Sequence, residues 1–292
     1  MNCLTVLTFL VIFFYAEAWH PLDFKEEDLK NIWTAPQNAK AVNHIAKTNG
    51  SKASVLLKKF NPRIVKGFKA TPGAVNYQIF LLIGDGYLCG GSMIKRDWVL
   101  SAAHCVYDQP TVTVYMIYSL DVGYTWRSPM LSAKIHEEYN DITLANDIAL
   151  LKTNLNEVIK FEDLLVYSLH DNGDFYANVI ATTCGFGRVS DRSTDISMDM
   201  KCAYNIVITN VQCKFTWDVD EHQMCVDTTG GVGACQGDSG GPVTISYPHS
   251  LNGKIQIGIV SYGADVGCEK GYPNVYTRVG SYADWITTNA IS

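Results

Sequence analysis

From Arg63 onward the chain is a series of short alternating runs. Thr111-Val-Thr-Val-Tyr-Met116 and Lys254-Ile-Gln-Ile-Gly-Ile-Val260 place apolar side chains at every second position, and Gly, Asn and Asp interrupt them. A period of two is that of a half-buried strand. Many short strands separated by turn residues predict a β-sandwich or barrel. Gly84-Asp85-Gly86, between the apolar stretches Phe80–Ile83 and Tyr87–Ile94, reads as a hairpin turn. The period changes near the end, where Val279, Tyr282, Ala283 and Ile286 recur at helical spacing and predict a C-terminal amphipathic helix. The start differs again. Leu4 to Ala16 is a continuous apolar run followed by Ala16-Glu17-Ala18, the form of a secretory signal peptide with its cleavage site. The run is shorter than the about 20 apolar residues that span a bilayer. Residues 19–63 are polar, lack cysteine and contain the sequon Asn49-Gly50-Ser51.

Composition narrows the picture. With 292 residues, 47% hydrophobic and 18% charged, the chain is rich enough in apolar residues for a packed core over most of its length. A formal net charge of −6 offers no electrostatic footprint for nucleic acid. Cys3 lies in the leader, so removing it takes nine cysteines to eight, the even number of a disulfide framework in a secreted protein. The expectation is a signal peptide (1–18), a propeptide (19–63) and one β domain (64–292), extracellular and without a membrane segment.

Three motifs carry candidate chemistry. A serine hydroxyl is a poor nucleophile at neutral pH and needs a base, a group that fixes the base's tautomer, and donors for the oxyanion that forms. Gly237-Asp238-Ser239-Gly240-Gly241-Pro242 puts a serine in a turn flexible enough to bring backbone N–H groups near a substrate. By itself it is also compatible with an ordinary glycine-rich turn. His104, in Ala102-Ala103-His104-Cys105, follows the apolar run Trp98–Leu100 and stands out among seven histidines for that reason. Asp147 leads into the apolar run Ile148–Leu151, and a carboxylate buried there needs a partner, which a protonated His104 would be. Alone, Asp147 reads better as a strand-end cap.

In the order His104, Asp147, Ser239 the three motifs resemble the chymotrypsin-like serine proteases. The resemblance covers nearly all of residues 64–292 and includes Cys89-Gly90-Gly91-Ser92, Cys184-Gly185-Phe186-Gly187, Ser261-Tyr262-Gly263 and Pro273-Asn274-Val275-Tyr276-Thr277. It implies an all-β fold of two six-stranded antiparallel β-barrels with a C-terminal helix. It implies His104, Asp147 and Ser239 as catalytic residues, the N–H groups of Gly237 and Ser239 as oxyanion hole, and Ser261 in support of Asp147. It also implies activation by cleavage after Arg63, with the new amino terminus of Ile64 pairing with Asp238. The disulfides it implies are Cys89–Cys105, Cys213–Cys225 and Cys235–Cys268. Cys184 and Cys202 remain and are paired because they fall on expected neighbouring strands. Ala181 and Ile245 stand where the family often has another bridge.

The sequence departs from the family at Lys66, at Phe186 and Tyr262 in places where tryptophan is common, and in a Ser119–Ser128 loop without the acidic spacing of the family's calcium loop, so no metal or cofactor is expected. By resemblance Gly233, Gly263 and Asn274 line the specificity pocket, with Ser261 and Tyr262 beside the substrate. An uncharged Gly233 disfavours a buried Arg or Lys. The expectation is cleavage after Leu, Phe, Tyr or Met with some tolerance for Gln. The expected partners are protein or peptide substrates, a trypsin-like activating protease and protein inhibitors, and the expected state is a monomer. The alternative function is a catalytically silent homologue that binds other proteins. The intact His104, Asp147, Ser239 and Gly237 weigh against it.

Overall fold

The structure is a computed structural model. It describes residues 65, 67–71, 73–84, 87–119, 123–154, 166–167, 174–193, 196–197, 199–248, 250 and 253–291. The signal peptide, the propeptide with Asn49, the Arg63–Ile64 junction and the tip of the Gly84-Asp85-Gly86 turn lie outside the described residues. No helix among the described residues is long and apolar enough to cross a membrane.

After the short strand β1 (Phe68–Lys69), the first sheet is built from β2 (Gln78–Ile83), β3 (Tyr87–Lys95), β4 (Trp98–Ser101), β5 (Val112–Ser119), β6 (Gly123–Pro129), β7 (Ser132–Ile135) and β8 (Ala149–Lys152). Their order across the sheet is β6-β5-β2-β3-β4-β8-β7, with every pairing antiparallel. The sheet curls, and no strand pairing among the described residues joins β6 to β7. The Ser119–Ser128 segment, read as a loop, belongs largely to the β5–β6 ribbon. Side-chain alternation explains β2. Ile79, Leu81 and Ile83 enter the core of this sheet, while Phe80 joins a second cluster shared with Cys184, Phe186, Met200 and Cys202 of the other half. Phe80 meets Phe186 edge to face at 5.6 Å. Both faces of β2 are therefore buried, unlike a strand with one wet face.

The other half contains β9 (Val166–Tyr167), β10 (Ile180–Gly185), β11 (Lys201–Ile208), β12 (Gln223–Val226), β13 (Pro242–Ser246), β14 (Lys254–Tyr262) and β15 (Asn274–Arg278). The order β11-β10-β13-β14-β15-β12 closes on itself because β11 also pairs with β12, giving a six-stranded barrel. Its core contains Val207, Met224, Val243, Ile257 and Tyr276. Each such side chain contributes about 1.5–3 kcal/mol when fully removed from water. β1 adds to β11, and β9 adds to β14 as the parallel pairing in this sheet. The fold is thus mostly β, a closed barrel beside a curled half-barrel.

The C-terminal helical pattern resolves into a 3₁₀ turn, Val279–Tyr282, followed by the helix Ala283–Asn289. Val279, Tyr282 and Ile286 are buried in the core of the first sheet. Lys95 Nζ donates to Ala290 O at 2.8 Å and Trp98 Nε1 to Ile291 O at 2.8 Å, so the end of the chain is fastened to the half that begins it.

Candidate active site

Strand register brings the histidine to the aspartate. In an antiparallel pair the end of one strand lies beside the start of the other. Ser101 is opposite Ala149, so a short helix α1 (Ala103–Val106) carries His104 just past the end of β4, and Asp147 sits just ahead of β8. His104 Nδ1 lies 2.7 Å from Asp147 Oδ2, and the His104 backbone N–H donates to Oδ1 at 2.9 Å. Ser261 Oγ donates to Oδ2 at 2.6 Å, and Thr277 Oγ1 donates to the Asp147 carbonyl at 2.7 Å. Asp147 is 1% exposed, and these donors replace its water. Burial, the largest influence on His104, pushes its pKa down. The charge of Asp147 and the hydrogen bond to it push the other way, and together they hold it above the usual histidine value.

The serine arrives from the closed barrel. Gly240 N–H donates to Val260 O and Val260 N–H to Gly241 O, which ties the turn to β14. Gly90 N–H donates to Ser239 O at 2.6 Å, which ties it to β3 of the other half. Cys89, next to Gly90, is bridged to Cys105, next to His104. One disulfide and one backbone hydrogen bond therefore connect the serine to the histidine segment. The approach demands glycine at 240, where φ is +79° and a Cβ would fall 2.6 Å from Gly90 O. Ser239 Oγ and His104 are not hydrogen-bonded to each other in this structure. Such contacts commonly tighten only with substrate in place. Gly237 has φ +98°.

Asp238, next to Ser239 in the chain, is 1% exposed. Its Oδ1 accepts from Gly187 N at 2.7 Å and its Oδ2 from Cys235 N at 2.9 Å. Burial pushes its pKa up to about 6 against the pull of these two bonds. Val65 is fully buried, and its N–H donates to Gly233 O at 3.4 Å.

A cleft of about 180 Å³ opens beside Ser239, lined by Ser261, Tyr262, Gly263, Gln236, Tyr272 and Asn274 among others. Gly233 does not line it. Asn274, 8% exposed, lies between the two glycines. A Cβ on Gly233 would fall 2.5 Å from its Oδ1, and one on Gly263 would clash with its Nδ2. Its Oδ1 is buried without a hydrogen bond. Trp217, whose Nε1 donates to Pro273 O, packs edge to face on Tyr262 at 5.5 Å. The bridges Cys89–Cys105, Cys184–Cys202, Cys213–Cys225 and Cys235–Cys268 are formed. Sequence reasoning assigned no role to Thr277, Trp217 or Gly187. Nothing in the local stretch Val275-Tyr276-Thr277-Arg278 singles Thr277 out.

A two-part β fold with a buried Asp-His pair at the junction and a serine turn beside it defines a chymotrypsin-like serine protease. The model of the Trypsin family matches residues 64–286, and the chain belongs to that family as a serine endopeptidase. It is 34% identical over 229 residues to brachyurin of Leptuca pugilator, covering 77% of this chain and 97% of brachyurin. It is 35% identical over 237 residues to collagenase of Hypoderma lineatum, covering 78% and 87% respectively. The solved structure of HL collagenase matches with a TM-score of 0.67 and 32% identity, covering 78% of this chain and 100% of that one.

Proposed function

We propose that this serine endopeptidase cuts its protein substrates through a Ser239–His104–Asp147 relay and is secreted as a zymogen. Ser239 Oγ attacks the scissile carbonyl carbon while His104 Nε2 takes its proton. The N–H groups of Gly237 and Ser239 stabilise the oxyanion. The C–N bond then breaks, His104 returns the proton to the leaving amine, and water releases the acyl group in a second round. The observation that carries this reading is the Asp147 carboxylate, buried and bonded at once to His104 and Ser261. That arrangement fixes the tautomer with Nδ1 protonated and leaves Nε2 as the base.

Activation is cleavage of Arg63–Ile64 by a trypsin-like protease, after loss of the leader 1–18. Two observations favour it. Asp238 is a buried carboxyl met by two backbone donors and, among the described residues, by no cation. Val65, the second residue after the cut, is buried and paired with Gly233. The propeptide 19–63 has no cysteine and would leave freely, releasing a monomeric, extracellular enzyme open to protein inhibitors. The pocket takes Leu, Phe, Tyr or Met, with Asn274 shortening it and giving Gln a partner.

A fluorophosphonate probe applied before and after trypsin treatment tests the reading. Labelling of Ser239 is expected only once Ile64 is the amino terminus, and Ser239→Ala abolishes it. Absence of labelling in the cleaved protein points instead to a silent homologue. A cleavage profile dominated by Arg or Lys overturns the pocket assignment alone.

A further inference from the structure

Asp147 hangs from a backbone that few residues accept. Leu144 has φ +55° and Asn146 φ +54°, the left-handed region that costs an L-residue with an ordinary side chain and that asparagine tolerates best after glycine. Directly after, Ile148 N–H donates to Asn146 O at 2.8 Å, so the chain folds tightly across Asp147 itself. The Asn146 side chain uses both ends of its amide. Its Nδ2 donates to Glu138 O at 2.9 Å, and its Oδ1 accepts from Tyr282 Oη–H at 2.9 Å. Tyr282 is 4% exposed, ends the 3₁₀ turn before the C-terminal helix, and packs edge to face on His136 at 5.3 Å.

We propose that Asn146 is a positioning residue for catalysis. Its left-handed backbone and its two tethers aim the Asp147 carboxylate at His104, and Tyr282 transmits that constraint from the C-terminal turn. The sequence offers few substitutes. Glycine would take the dihedral but make neither hydrogen bond. Aspartate would accept from Tyr282 but could not donate to Glu138 O, and it would set a second negative charge beside Asp147. The inference rests on the reading of Asp147 as the group that orients His104.

The test compares Asn146→Ala, Asn146→Gly, Tyr282→Phe and Asp147→Asn in the activated enzyme. It follows kcat and KM on a peptide substrate and the downfield proton resonance of His104 Nδ1–H. Asn146→Ala is expected to lower kcat about tenfold with KM within about twofold, and to displace the resonance. Asn146→Gly is expected to recover part of that loss, because only the dihedral is restored. Tyr282→Phe is expected to lower kcat about threefold and move the resonance less. Wild-type kcat and an undisplaced resonance in Asn146→Ala would overturn the proposal, as would a loss confined to KM. Should that variant fail to fold, Tyr282→Phe decides, since it removes one hydroxyl and keeps the packing: unchanged kcat with an unchanged resonance there overturns the proposal as well. An inactive Asp147→Asn beside normal Asn146 variants removes this inference alone. An active Asp147→Asn removes the triad reading beneath it.

Discussion

Two aspartates lie near Ser239, each 1% exposed, and the protein treats them differently. Asp147 is surrounded by donors from both halves of the molecule. They are the His104 ring and backbone from the first sheet and Ser261 from β14. Asp238 lies in the closed barrel with two backbone N–H groups, and burial drives its carboxyl toward the protonated form. The first site is complete within the chain as it folds. The second, among the described residues, has two backbone donors and no cation beside it, so its ionised form is costly. On the proposed mechanism, the contrast separates a residue that performs chemistry from one that responds to cleavage of the precursor.

The largest test of the contrast is Asp147→Asn. An amide there keeps an acceptor for the His104 backbone N–H but presents N–H donors to His104 Nδ1. That favours the tautomer protonated on Nε2, which cannot accept the Ser239 proton. The expected loss in kcat is about 10⁴, a magnitude carried over from the same change in this family's triad, with the melting temperature little altered. Steady-state kinetics and a thermal melt check it. A loss under tenfold would place Asp147 with the structural carboxylates.

Asp238→Asn should act through assembly of the oxyanion hole, with a loss of about 10²–10³ in kcat of the trypsin-treated protein. Its pH signature is sharper. In the uncut chain the folded carboxyl has a pKa of about 6 against an ordinary 3.8. The folded state therefore holds its proton more tightly than the unfolded state. The associated stability is fully present below about pH 4 and is lost as pH rises through about 6, amounting to about 3 kcal/mol. Cutting at Arg63–Ile64 is expected to supply an ammonium group that pulls the folded pKa below 3.8, so the stability of the pair is gained as pH rises toward 4 and the fall between pH 4 and 7 disappears. Urea melts of cut and uncut protein between pH 4 and 7, each referred to its own Asp238→Asn variant, measure the difference. Identical slopes would mean that no cation reaches Asp238.

The same contrast divides what could be read in the sequence. The pairing of His104 with Asp147 could be anticipated because the proposed chemistry requires those residue types in short, recognisable contexts. The alternation in Lys254–Val260 and the spacing of Val279, Tyr282 and Ile286 were legible because burial imposes a period. Contacts set by tertiary approach were not. Nothing local to Gly187 says that its N–H will meet Asp238, 51 residues away, or that a Cβ there would fall 2.5 Å from the carboxylate. Nothing in β11 and β12 says that they close one barrel while β6 and β7 leave the other half curled and unpaired. Asn274 was placed in the pocket by resemblance. That its amide spans from Gly233 to Gly263, leaving Gly233 off the cleft wall, follows only from coordinates.

The finest test is Ser261→Ala. Ser261 Oγ gives Asp147 Oδ2 one of its hydrogen bonds, at 2.6 Å, and the same oxygen faces His104 Nδ1. Removing the hydroxyl leaves two donors on the carboxylate, the His104 ring and backbone, so the pair survives. A hydrogen bond to a charged group contributes about 1.5–3 kcal/mol to stability. Here the site adjoins the cleft, and water entering the vacated space would restore part of that loss. The expected drop in kcat/KM is under about tenfold, far below that of Asp147→Asn. The direction of the acid limb is the more telling readout. His104 must be neutral to act as base, and its pKa already stands above the usual value because of Asp147. With one donor fewer, more of the carboxylate's charge falls on His104, so the limb should move to higher pH. A pH profile of kcat/KM for both enzymes decides. A limb that moved down would show that Ser261 polarises Asp147 toward His104 rather than sharing its charge.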